Sequence, residues 1–355
     1  METFRPLHSD MGDLREQAEA LGGVVEVRAL LCHSPPSPVQ VLELSQLMSP
    51  TVMVPAGQGV NRPARPDSAA KSMASSTSDL SSRTSSPTGP AKPDEIDMTA
   101  PANHLDFSMI IPLFPNLTAV RLCFQVKKCG IEFRWNMFGM TEKDADNLAA
   151  GLGSCPKLHT LSIRNSKLTD TLLYDVMGGM EKLVNVTVLD FPNNILTDEC
   201  VDVLTKAMAN KSIKTLNLCN NKVSNEGAKN LAVFIAGGKS CLEDINLSLN
   251  LVEDEGSVPL LKAISLDKRV SGISLSSNRL GPATCQAVKD LLTLSSSLLR
   301  LDLSCNKLTE EGGSLVLQGL KQNTMVRQLD LRLTGVAKQV DIEVQATLQK
   351  NSGFK

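Results

Sequence analysis

The stretch LLRLDLSCNKLTEEGGSLVLQGLKQNT, residues 298–324, puts two kinds of element into one short span. Leu298, Leu301 and Leu303 have the spacing of a short strand with one buried side, and Asn306 then stands before Leu308 where another core residue is due. TEEGGSLVLQGL follows, opening on acidic residues that the peptide dipole favours at a helix N-terminus. The span therefore reads as strand, turn and helix, with an amide set among core positions.

Outward from this stretch the same spacing recurs. L-x-x-L-x-L-x-x-N-x-L fits Leu158/Leu161/Ile163/Ser166/Leu168, Val186/Leu189/Phe191/Asn194/Leu196, Ile213/Leu216/Leu218/Asn221/Val223 and Leu242/Ile245/Leu247/Asn250/Val252. It continues through Val270/Ile273/Leu275/Asn278/Leu280, Leu298/Leu301/Leu303/Asn306/Leu308 and Val326/Leu329/Leu331/Thr334/Val336, with first positions 28, 27, 29, 28, 28 and 28 residues apart. A weaker copy, Leu117/Val120/Leu122, lies upstream. Such a period is the mark of leucine-rich repeats, each a strand, a turn and a returning outer helix. In TDECVDVLTKAMANKS, Cys200, Val203, Leu204, Ala207 and Met208 fall on one helical face. The repeat length and outer helix resemble the ribonuclease-inhibitor type of α/β solenoid, in which a curved parallel sheet lines the concave face. Eight strands about 4.8 Å apart would give an inner arc of about 35–40 Å.

The amide has a structural explanation. Where the chain leaves each strand, backbone donors and acceptors enter the core without a strand neighbour, at a cost of about 1–3 kcal/mol for each one left unpaired. A buried asparagine supplies both kinds of group. Asn194, Asn221, Asn250, Asn278 and Asn306 thus read as a ladder rather than as catalytic residues, with Ser166 and Thr334 standing where the ladder ends.

Composition sets further bounds on the 355 residues. A net charge of −2 argues against a phosphate-tracking nucleic-acid protein and against a polybasic membrane anchor. The nine cysteines are scattered and hold no C-x-x-C pair, the usage of a reducing compartment. The start, METFRPLHSDMGDLREQAEALGG, is charged and lacks the apolar region of a secretory signal, so the NLT, NVT, NKS and NLS tripeptides are read as coincidences. Four units are expected: 1–48, a short, weakly structured segment that docks or stays loose; 49–103, a disordered Ser/Pro-rich linker; 104–157, a cap with a degenerate first repeat; and 158–350, seven repeats with a C-terminal cap. Ser34, Ser37, Ser49 and Ser86 precede proline and read first as ordinary linker serines.

Chemistry finds little foothold. His8, His33, His104 and His159 share no metal-ligand spacing. GGKS at Gly237–Ser240 lacks the upstream glycine of a phosphate loop, since Val233 holds that place, and it follows a helix instead of a strand. No enzyme, cofactor or metal is expected. The concave face remains, with Ser162, Asp190, Asn217, Asn246, Ser274, Asp302 and Asp330 in one polar column flanked by Arg164 and Arg332. That column reads either as a protein-binding surface or as a solvated sheet face. Six of the eleven aromatic residues, Phe107, Phe114, Phe124, Phe133, Trp135 and Phe138, cluster within 107–138, where they either seal the first repeat or anchor a partner.

The block CGIEFRWNMF, Cys129 to Phe138, within Cys129–Asp170, resembles the start of the repeat domain in the family of subunit 5 of the nexin–dynein regulatory complex, also called the t-complex-associated testis-expressed protein 1 family. Residues 298–336 are similar to the end of that domain, and the resemblance runs over roughly 105–350. It implies a non-enzymatic subunit of the ciliary or flagellar axoneme, in a complex that bridges doublet microtubules and regulates dynein-driven bending. Its implied partners are other subunits of that complex, including a second leucine-rich-repeat subunit and coiled-coil components, with doublet microtubules reached indirectly. A GTPase-activating protein for a Ran-like GTPase shares the repeat type. Those regulators usually end in a strongly acidic tail, and this chain ends LQKNSGFK.

Overall fold

The computed structural model describes residues 26–32, 39–45, 106–114, 116–124 and 139–353. Residues 49–103 of the expected linker lie outside these, as do Phe133, Trp135 and Phe138, so neither the linker nor the cap-or-anchor reading of that trio is met by described residues.

The strands are β1 (Glu26–Cys32), β2 (Val39–Ser45), β3 (Leu117–Cys123), β4 (Thr160–Arg164), β5 (Val188–Asp190), β6 (Thr215–Asn217), β7 (Asp244–Asn246), β8 (Gly272–Ser274), β9 (Arg300–Asp302) and β10 (Gln328–Asp330). They form one sheet in sequence order. β2 to β10 run parallel, and β1 pairs antiparallel with β2. The sheet thus has ten strands, two more than the repeat pattern counts. β2 docks on β3, with Leu42 buried against the first turn of the core. The apolar run at Val39–Ser45 fills the edge that β3 would otherwise leave unpaired.

Between strands run the helices α1 (Phe107–Ile110), α2 (Glu142–Leu152), α3 (Asp170–Gly179), α4 (Asp198–Met208), α5 (Asn225–Ala236), α6 (Asp254–Leu266), α7 (Pro282–Leu294), α8 (Thr309–Leu320) and α9 (Lys338–Asn351). Each buries an aliphatic stripe against the strand leucines, giving one continuous core from Leu42 to Leu348. In α4 the stripe is Cys200, Val201, Leu204 and Met208, while Val203 and Ala207 pack at its margin. Gly179 lies so close to α2 that a Cβ there would sit 2.3 Å from the Ala149 carbonyl oxygen.

The asparagine amides bind as donors and acceptors at once. Asn250 Nδ2 donates to the carbonyls of Leu218 at 2.8 Å, Ser248 at 3.1 Å and Leu247 at 3.2 Å, while its Oδ1 accepts from Val223 N at 2.9 Å. Asn194, Asn221, Asn278 and Asn306 repeat the arrangement. At the first repeat Ser166 Oγ accepts from Phe124 N at 3.3 Å, and at the last the Thr334 backbone carbonyl accepts from Leu308 N at 3.0 Å. The residue before each ladder position holds positive φ: Asn165, Asn193, Asn220, Leu249, Ser277, Cys305 and Leu333.

A second ladder runs along the helix starts. The first residue of one helix bonds the N-cap of the next: Asp170 accepts from Thr197 N at 3.0 Å, Asp198 from Ser224 N at 2.6 Å, Asn225 from Glu253 N at 2.8 Å and Asp254 from Gly281 N at 2.7 Å. These groups satisfy the orphan donors of the neighbouring helix besides meeting their own dipole. The series stops at Pro282, which has no acceptor side chain, and the next N-terminal residue, Thr309, adopts φ +66°.

Two expectations test this account by urea unfolding. Asn250→Ala strands the Val223 N–H and leaves the Leu218 carbonyl with Asn221 Nδ2 as its remaining donor, and should lower stability by about 1–3 kcal/mol. Leu249→Asn should raise it by about 1 kcal/mol, since Leu249 is half exposed at φ +55° and asparagine tolerates that region far better.

Candidate protein-binding surface

Register fixes the concave columns. Ser162, Asp190, Asn217, Asn246, Ser274, Asp302 and Asp330 are successive parallel partners, so the polar column is continuous across seven strands. Along it the side chains close on one another in three groups. In the first, Asp190 is the hub: it accepts from Ser162 Oγ at 2.6 Å, Arg164 Nε at 2.8 Å and Asn217 Nδ2 at 2.7 Å, with the Arg164 ion pair at 2.6 Å. In the second, Ser274 donates to Asp302 at 3.0 Å and accepts from Ser248 Oγ at 2.6 Å, while Asn246 Oδ1 accepts from Ser248 N at 3.0 Å. The third is Arg332 donating through Nε to Asp330 at 2.9 Å, which holds that carboxyl below the usual carboxylate range.

A neighbouring column carries a bridge that the repeat pattern does not announce. Arg300 on β9 pairs with Asp244 on β7, reaching across β8. Gly272 makes this possible, because a Cβ there would fall 2.2 Å from Asp244 Oδ1 and 2.8 Å from Arg300 Nη2. A glycine at a strand position in an otherwise regular series was the only sequence cue. Toward the C-terminal end the face deepens into a cavity of about 810 Å³, bounded by β6 to β10 and by Asp341, Gln345, Leu348 and Gln349 of α9.

Three of the cysteines, Cys155, Cys200 and Cys285, are buried. Burial pushes the Cys155 and Cys285 thiols up to about 11, and burial together with Asp170, Asp198 and Asp202 pushes Cys200 up further. Among the described residues no group of His, Cys, Asp and Glu could hold a metal ion, and no helix is long and apolar enough to cross a membrane.

With the geometry in hand, comparison with known proteins bears on the fold. The "Leucine Rich repeat" family matches residues 209–232 and 294–317. The chain carries leucine-rich repeats and folds as their α/β solenoid. Ribonuclease inhibitor of Sus scrofa is 30% identical over 54% of this chain and 42% of its own length. "NACHT, LRR and PYD domains-containing protein 5" of Homo sapiens is 26% identical over 59% of this chain and 20% of its own. Dynein regulatory complex subunit 5 of Macaca fascicularis is 29% identical over 27% of this chain and 19% of its own. The chain therefore spans under half the length of each of these relatives. What they share with it is the α/β leucine-rich-repeat solenoid.

Thiol exposure gives a check on the packing. Brief alkylation at neutral pH followed by peptide mapping should label exposed Cys305 and spare Cys155, Cys200 and Cys285 until denaturant is added.

Proposed function

We propose that this protein is a non-enzymatic adaptor, a subunit of the dynein regulatory complex of the ciliary or flagellar axoneme that docks neighbouring subunits through its solenoid. The observation that carries the adaptor reading is the concave column itself. Its acids and amides are held by Arg164, Ser248, Ser274 and Arg332 at fixed positions on a sheet whose repeats are bonded to each other at two ladders. A surface ordered in advance loses little conformational freedom on binding. Arg164, Asp190, Asn217, Asn246, Asp302, Asp330 and Arg332 are the proposed contacts on this face.

Two similarities support placing it in the axoneme: the Cys129–Phe138 block, and the match to Dynein regulatory complex subunit 5 in Macaca fascicularis and Homo sapiens. The partners on this reading are other subunits of that complex, a second leucine-rich-repeat subunit and coiled-coil subunits among them, with the doublet microtubules reached through them. Neither nucleic acid nor membrane is a partner.

The experiment is extraction. A C-terminally tagged protein in ciliated cells should stay with detergent-extracted axonemes and leave them only at high salt. A wholly soluble cytoplasmic pool would overturn the axonemal reading, and stimulated GTP hydrolysis by a Ran-like GTPase would then replace it.

A further inference from the structure

The two ends of the sheet are unlike. At the N-terminal end β2 and β1 cover the edge of β3, whereas among the described residues β10 pairs only with β9 and presents its other edge unpaired. The donors on that edge are the ones every earlier repeat uses. Leu275 and Ser277 donate to the carbonyls of Asp302 and Ser304 at 2.8 Å, and Leu303 and Cys305 to those of Asp330 and Arg332 at 3.0 and 2.8 Å. Their counterparts Leu331 and Leu333 have no acceptor among the described residues. The 810 Å³ cavity runs over this edge, with Leu329, Leu331 and Leu348 as its apolar floor.

The inner repeats also show what the missing neighbour would carry. Lys214 stands at the repeat position of Arg327, and it pairs at 2.8 Å with Glu243, the same position one strand on. Arg164 stands at the repeat position of Arg332, and it pairs at 2.6 Å with Asp190 of the next strand. At the open edge both arginines lack that neighbour. Arg327 is exposed and has no ion pair among the described residues, and Arg332, 81% exposed, turns back on Asp330 of its own strand. Transferred to an eleventh parallel strand, the inner pairings place an acid opposite Arg327, an apolar residue two further on over Leu329, and a second acid three further on beside Arg332.

We propose that the β10 edge is a strand-addition site for an extended segment of another polypeptide reading acidic–x–apolar–acidic, bound parallel to β10. Main-chain hydrogen bonds to Leu331 and Leu333 hold it, and the two arginines select its sequence and register. Arg332 exchanges its Asp330 contact for the incoming acid, as Arg164 reaches Asp190.

The test uses the full-length chain and a labelled peptide with the sequence of residues 242–250, LEDINLSLN, carrying Asn246→Asp, which presents the required acids around an isoleucine. Fluorescence polarisation should show saturable binding, and hydrogen–deuterium exchange should slow over residues 328–334. Arg327→Glu with Arg332→Glu should weaken binding about tenfold or more. The same pair should bind a peptide whose two acids are replaced by lysine better than the wild-type protein does. Both side chains are exposed, and an unchanged circular dichroism melt will show that the doubly substituted protein is folded. Unaltered exchange on adding peptide, or equal binding of a scrambled peptide, would overturn the proposal. So would slow exchange of the Leu331 and Leu333 amides in the free protein, which means the chain covers its own edge, or a concentration-dependent dimer lost in the double variant, which assigns the edge to a second copy.

Discussion

Every turn that leaves a strand buries main-chain groups with no strand to meet them, and the asparagine amide that answers them sets the period of the whole molecule. Asn221 shows why the spacing is held so closely. Its nitrogen donates back to the Phe191 carbonyl, thirty residues earlier, and its oxygen accepts from Leu196 N, twenty-five residues earlier. One side chain therefore closes its own turn and the preceding one. A leucine there would leave Leu196 N unpaired and the Phe191 carbonyl with Asn194 Nδ2 alone, and an aspartate would lose the donors. An insertion inside the strand or turn would move the amide out of reach, so length variation falls to the helices, where repeats of 27 and 29 residues are absorbed.

The helix-start ladder gives the convex side an equivalent coupling. Asp198 bonds Ser224 N and Gly227 N, so a carboxylate of one repeat completes the helix start of the next. Stability in such an array is a sum of repeat and neighbour contributions, and two ladders plus a continuous aliphatic core make the neighbour contribution large. Stiffness follows, since bending a junction that carries both ladders must break capping and amide bonds together. Pro282 interrupts only the outer ladder, and there the junction relies on close packing, with Gly319 brought within 3 Å of the Lys289 backbone by the measure of an added Cβ.

The features that repeat were legible in the sequence, and those that join distant repeats were not. The strand leucines and the amides announce themselves through spacing. The positive φ before each amide does not, because Leu249, Ser277, Cys305 and Leu333 are poor left-handed residues that the ladder holds in place regardless. β2 could be seen as an apolar run, yet only the empty edge of β3 decides that it docks. On the concave face the column residues were readable one by one. Their partners were not: Arg164 finds Asp190 twenty-six residues away, and Arg300 finds Asp244 fifty-six away, with Gly272 as the one local trace. Phe107 and Phe124, flagged as part of an aromatic cluster, are buried against the first repeats, which suits a seal at those two positions.

The closed networks also bear on where binding energy can come from. Within the stack Asp190 on β5 already has three donors, and Asp302 on β9 is held by Ser274 and by Ser304. A partner that displaces those donors must replace charge-assisted bonds before it gains anything, and a buried carboxylate left with fewer partners is costly. The centre is thus suited to shape and to weak, water-mediated polar contact, which gives selectivity more than affinity. Groups whose repeat partners are missing stand under no such penalty. They occur where the solenoid stops, so in a molecule whose interior is bonded repeat to repeat, the strongest unspent interactions lie at the end of the stack rather than along its face.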